Sequence, residues 1–189
     1  HRFIVENSGA SIEVLAQGVG RRIVLLPSLG RGAEDFDRIA EHLLVAGYRV
    51  LRPQPRGIGR SVGAMTGIDL HDYATDVAAA IERDGGAPAF VAGHAFGNRV
   101  ARMVATDRPE LVCGVALIAA NVGIAPSPPQ VREAIRKSAN PLLPDTERLE
   151  ALRFAFFAPG NDATAWLKGW YPEVLAAERG MVRTQDISQ

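Results

Sequence analysis

The chain has 189 residues, 47% hydrophobic and 22% charged, with Lys+Arg and Asp+Glu both at 21. The length is that of one domain able to bury a sizeable core, and the composition is that of an ordinary globular protein. A net charge of zero speaks against a nucleic-acid surface, which needs a basic excess, and no apolar run is long enough to cross a bilayer. The single cysteine, Cys113, excludes an intrachain disulfide. It lies in an apolar run and reads as a buried small hydrophobe. The chain opens on His1 rather than Met and shows no signal peptide, which leaves the compartment open, with the cytoplasm preferred.

Residues 2–6 and 11–16 are two strand-like runs around the turn signal Asn7-Ser8-Gly9, a hairpin pattern. Residues 22–27 form a continuous apolar run, as in a strand buried on both faces. Phe36, Ile39, Ala40, Leu43 and Leu44 recur at helical spacing, and Gly47 ends that helix. Residues 48–51 are the next strand, closed by Pro53 and Pro55, and a loop rich in Gly and Arg runs through 56–67. Asp69 is placed to cap a helix with Leu70, Tyr73, Ala74, Val77 and Ile81 on one face, which Gly85-Gly86 stops. Strand 87–92, turn 93–97 and helix 98–105 follow, then a second buried strand over 112–119. Strand and helix alternate from 21 to 120, which predicts right-handed crossovers and a mostly parallel sheet with helices on both faces.

After Asn121 the character changes. Prolines punctuate the chain, and no further β-rich run appears. Segments 130–139, 145–157 and 161–178 read as helices, with Phe154, Phe156, Phe157, Trp166, Trp170 and Tyr171 clustered at helical spacing. The expectation is a core over 1–124 and a helical cap over 125–189.

The most informative stretch is Gly93-His94-Ala95-Phe96-Gly97. A strand, a glycine-flanked turn and a helix, in that order, are the setting of a nucleophile elbow. Its central position is normally Ser, Cys or Asp, but here it is Ala95, which has no attacking atom.

Together with three other segments this turn resembles the α/β-hydrolase superfamily over roughly residues 10–125. Residues 24–32 stand where that family has a strand, His-Gly and the first oxyanion donor. Residues 52–61 resemble its Pro-Asp-x-Arg-Gly-His-Gly-x-Ser loop, and Leu117-Ile118-Ala119-Ala120 its strand into the cap. The resemblance implies backbone N–H groups of Leu29 and Phe96 as oxyanion donors, and Ser28, Arg31, His94 and Asn121 as ligand-facing positions. It also implies a parent that cleaves small carboxylic esters or related carbonyl compounds through an acyl-enzyme.

The departures are as informative as the matches. Gln54 and Ile58 replace the family's Asp and His, and Pro27-Ser28 replaces His-Gly. The histidines are His1, His42, His71 and His94, and none follows the elbow. Asp145, Asp162 and Asp186 read as helix caps or solvated charges. Arg31, Arg56 and Arg60 could meet an anionic substrate, although an ion-paired or solvated surface role weighs more. The pattern is that of the front portion of such a domain, with its last strands missing. No phosphate loop, dinucleotide fingerprint or metal-ligand spacing is present, so no cofactor or metal is expected.

Three readings follow. In the first, Ala95 stands in for the serine of a hydrolase. In the second, the chain is a non-catalytic binder of a small carbonyl or carboxylate ligand. In the third, an uncovered sheet edge leads to a homo-oligomer or to pairing with a missing C-terminal segment. None involves nucleic acid or a membrane.

Overall fold

The computed structural model describes residues 1–7, 9–86, 88–120 and 128–184. Strands β1 (Arg2–Asn7) and β2 (Ala10–Gln17) form the expected antiparallel hairpin, with Val5 opposite Ile12. Strands β3 (Arg22–Leu26) and β4 (Arg49–Pro53) pair in parallel, and the two-residue β5 (Val62–Gly63) pairs with β2. Strands β6 (Ala89–His94) and β7 (Val112–Ile118) extend the parallel part, giving the order β1-β2-β4-β3-β6-β7. Helix α1 (Asp37–Val45) connects β3 to β4, α2 (Leu70–Arg83) precedes β6, and α3 (Phe96–Asp107) connects β6 to β7. The result is the predicted α/β architecture with a mostly parallel sheet.

Period-two alternation along the strands sorts the core onto two faces. Val24 and Leu26 of β3 join Leu51, Val91 and the inner sides of α2 and α3 in the larger cluster. Leu25 faces the other way and packs with Phe36, Ala40, Val50 and Ala92 under α1. Asp69 starts α2 as the sequence suggests. Its carboxylate accepts from the His71 N–H at 2.8 Å, while Asp72 returns an acceptor to the Asp69 N–H at 2.9 Å, a reciprocal cap.

Two expectations fail on the β7 side. Cys113 is exposed rather than buried, and Leu117 and Ile118 are 46% and 41% exposed. The reason is position: among the described strands β7 lies at the end of the sheet order, so its apolar run is only half covered.

Helices α4 (Pro129–Ser138) and α5 (Asp145–Phe156) lie where the periodicity puts them. The third expected helix, 161–178, does not form as one piece. Asp162 accepts from the Thr164 N–H and hydroxyl at 2.9 and 2.6 Å just ahead of a short 3-10 turn, Thr164–Trp166. Gly169 then takes φ +78°, and α6 (Pro172–Thr184) starts at Pro172. Proline fits the first helical position and disfavours a helical residue before it. The aromatic cluster is real, but much of it sits on a loop.

Candidate ligand site at the turn between β6 and α3

Strand β6 ends at His94, and the chain reverses through Ala95 into α3. Ala95 has φ +49° and ψ −107°, a conformation that L-residues other than glycine avoid. Its N–H donates to the Ile118 carbonyl at 2.9 Å, which ties the turn to the end of β7. Glycine is required on both sides of the corner. A Cβ at Gly93 would overlap the Gly97 carbonyl, and one at Gly97 would overlap the carbonyls of Leu26 and Pro27. Strand and helix meet there without side chains between them. Ala119, just past β7, is the only other non-glycine with positive φ among the described residues, at +50°. Both strained alanines line one cavity of about 200 Å³, as expected if strain collects at functional sites.

Ser28, Leu29 and Phe96 line the same cavity, as do Asn98 and Arg99 from the first turn of α3. Ile135 of α4, Phe156 of α5 and Trp170 add apolar wall. The cavity thus brings together four positions named from the sequence: Ser28, Leu29, Ala95 and Phe96. Asn121 lies outside the described residues.

The loop after β3 is held tightly. The Gly30 N–H donates to Glu178 Oε2 at 2.6 Å, the Arg31 N–H to the Ser28 carbonyl at 3.1 Å, and the Tyr171 N–H to the Gly30 carbonyl at 3.0 Å. The Leu29 N–H has no acceptor among the described residues, nor does the Phe96 N–H, which heads α3 and so lacks an intrahelical one. Glu178 is 1% exposed. Burial pushes its carboxyl up to about 8, against the Gly30 N–H, which favours the ionised form.

Arg31 is engaged on every side. Nε and Nη2 donate to the two Asp35 carboxylate oxygens at 2.8 and 2.5 Å, and Nη1 donates to the Lys168 carbonyl at 2.6 Å. The guanidinium carbon lies 4.6 Å from the Trp166 ring centre and 4.9 Å from that of Trp170, a double cation–π contact. Arg56 is equally committed, to Asp76 at 2.7 and 2.9 Å. Gln54, where the resemblance leads one to expect Asp, bridges two loops: Oε1 accepts from the Ala33 N–H at 2.9 Å and Nε2 donates to Glu34 at 2.7 Å.

The histidines are occupied elsewhere. His94 packs edge-on against Trp166 at 5.9 Å, and burial lowers its pKa, which favours the neutral ring. His42 is exposed on α1, where its Nδ1 lies 2.6 Å from the Arg38 carbonyl. His71 is exposed and pairs with Asp107 at 2.8 Å; the Asp107 hydrogen bond raises its pKa. Among the described residues no group of His, Cys, Asp and Glu is arranged to hold a metal ion.

Sequence reasoning missed Arg99 and Glu178. Arg99 had a usable signal, since it lies one turn into the helix that the elbow starts. Glu178 had none, being 148 residues from its partner Gly30.

The family model described as "Serine aminopeptidase, S33" matches residues 19–175. A non-heme haloperoxidase of Rhodococcus erythropolis is 33% identical over 119 residues, covering 62% of this chain and 43% of that protein. A non-heme chloroperoxidase of Streptomyces lividans is 40% identical over 89 residues, covering 47% and 32%. The chain therefore spans about two-fifths or less of the length of these relatives. The solved structure of the bottromycin epimerase BotH, in complex with bottromycin A2, superposes with a TM-score of 0.71 at 24% identity, covering 97% of this chain and 73% of that one. At that identity the likeness is one of fold.

Proposed function

The chain belongs to the serine aminopeptidase S33 family within the α/β-hydrolase superfamily, and from that membership we propose that its site binds a small carbonyl compound without forming an acyl-enzyme. The observation that carries this reading is Ala95 itself. It keeps the strained backbone of a nucleophile position, at φ +49°, and has no oxygen to attack with. The Leu29 and Phe96 N–H groups serve as the oxyanion corner. Both are backbone donors, so the corner does not depend on a serine at 95. In an active serine hydrolase one such donor contributes roughly 3–4 kcal/mol to the transition state, and losing the nucleophile lowers turnover on the order of a million-fold.

Residues 125–189 act as the cap in this reading. Support comes from Ile135, Phe156 and Trp170, which close the apolar side of the cavity. The strain retained at Ala95 favours a parent that carried a nucleophile there and cleaved small carboxylic esters or related carbonyl compounds.

Short-chain aryl esters test the reading directly. The expected result is saturable binding, no release of the phenol, and no adduct with a serine-directed phosphonate. In these 189 residues Ala95→Ser is expected to give no burst either, because His42, His71 and His94 are engaged elsewhere. Turnover by the unaltered chain, or a burst and adduct from Ala95→Ser, sinks the binding-only reading in favour of a masked hydrolase. Absence of any saturable binding sinks the carbonyl site altogether.

A further inference from the structure

One wall of the cavity is charged, and nothing in the described structure answers that charge. Arg99 lines the cavity partly buried, and its guanidinium makes no hydrogen bond or ion pair among the described residues. Burial, reinforced by Arg102, lowers its pKa, as happens when a cation loses water without gaining a partner. Arginine remains charged in such a setting. None of the described residues lining the cavity is acidic.

The other deeply placed arginines are treated differently. Arg31, Arg52 and Arg56 are 2%, 4% and 3% exposed, and each has its own carboxylate, on Asp35, Asp37 and Asp76 respectively. The fold pairs its buried guanidiniums and leaves this one open to the cavity.

A second polar group points the same way. Ser28 is 4% exposed and lines the cavity, and its hydroxyl has no partner among the described residues. With the unpartnered N–H groups of Leu29 and Phe96, three groups of the cavity can donate, and the Ser28 hydroxyl can accept as well. Asn98 is turned inward: its side-chain amide donates to the Ala95 carbonyl, and its Oδ1 is enclosed. A donor-rich cavity with an unanswered cation and an apolar wall has a definite complement.

We propose that the cavity takes a small apolar carboxylate, its carboxylate paired with Arg99 and its body packed against Ile135, Phe156 and Trp170. This rests on the carbonyl-site reading above and adds the sign of the ligand's charge. The volume of about 200 Å³ lies below the roughly 300–1,000 Å³ of pockets that take larger ligands, and suits one substituted ring.

The test compares phenylacetate with its neutral isostere phenylacetamide by calorimetry and protein NMR. Phenylacetate is expected to bind roughly tenfold or more tightly than the amide, as a charge-assisted hydrogen bond implies. Arg99→Met should abolish that preference, and Arg99→Lys should keep part of it, with the backbone amide spectrum showing that both variants are folded. Equal affinity for the two ligands, or a preference that survives Arg99→Met, overturns the carboxylate proposal; amide binding in that case leaves the carbonyl site standing. If neither ligand binds, the carbonyl site and the carboxylate proposal fall together.

Discussion

Two arginines flank this site and receive opposite treatment. Arg31, on the loop after β3, is 2% exposed and fully engaged by Asp35, the Lys168 carbonyl and two indole rings. Arg99, in the first turn of α3, lines the cavity with no partner among the described residues. A buried charge that is satisfied within the fold holds the fold together, because breaking it strands a desolvated partner. A charge left unsatisfied beside a cavity costs folding free energy instead of supplying it, and is available to a ligand. The loop after β3 is therefore scaffold, and the start of α3 is binding surface.

The largest expected effect comes from breaking the corner that joins the two. Gly97→Ala would push a methyl group into the carbonyls of Leu26 and Pro27. Those atoms are backbone and cannot step aside as a side chain can. The expected loss is about 3–4 kcal/mol, read from the midpoint of urea unfolding. An unchanged midpoint would show that strand and helix are not in close contact there, and would remove the basis for placing the Phe96 N–H beside the loop after β3.

Next in size is the comparison itself. Arg31→Met should destabilise by about 2–3 kcal/mol, since it strands Asp35 and removes the cation from Trp166 and Trp170. Asp35 remains 15% exposed, which keeps the loss below that of a fully buried pair. Arg99→Met should leave stability unchanged or raise it slightly, by no more than about 1 kcal/mol, as expected when a partly desolvated cation without partners is replaced by an apolar side chain. Equal losses from the two substitutions would sink the division into scaffold and binding surface.

How much of this was legible in the sequence depends on range. The hairpin, the alternation of strand and helix, and the Asp69 cap are local patterns, and each formed where the residues indicated. The Gly93–Gly97 turn was legible for a similar reason, since its glycines record a backbone approach that only glycine permits. The β7 strand was misjudged because an apolar run reports the chemistry of a strand and not its place in the sheet. Val112–Ile118 reads as doubly buried, yet it ends the order of the described strands. The aromatics near 161–171 have helical spacing, but Gly169 and Pro172 both interrupt a helix, and spacing alone does not register them. Arg31 illustrates the limit for charges. In sequence it is one arginine in a glycine-rich loop, and its partners Lys168 and Trp170 lie more than a hundred positions away. Arg99 was overlooked for the converse reason: its importance lies in lacking a partner, which no local pattern records.

Glu178 offers the one effect with a direction in pH. It belongs to the scaffold side, since its carboxylate accepts from the Gly30 N–H, next to Leu29. It titrates within reach of ordinary buffers. Its usual value is 4.5, and burial raises it to about 8 in the folded chain. The folded state therefore holds this proton more tightly than the unfolded chain does. The contribution is fully present below about 4.5 and is lost as pH rises through about 8. Glu178→Gln keeps a carbonyl oxygen for the Gly30 N–H and removes the titration. The variant should match the parent near pH 4.5 and exceed it in stability by a margin that grows up to about pH 8 and then levels off, measured by urea unfolding from pH 4.5 to 9. A constant difference between the two proteins over the whole range would mean that Glu178 titrates normally and is reached by water. In that case the loop carrying Leu29 would be held by the Tyr171–Gly30 bond and the Arg31 contacts, without a buried carboxyl behind it.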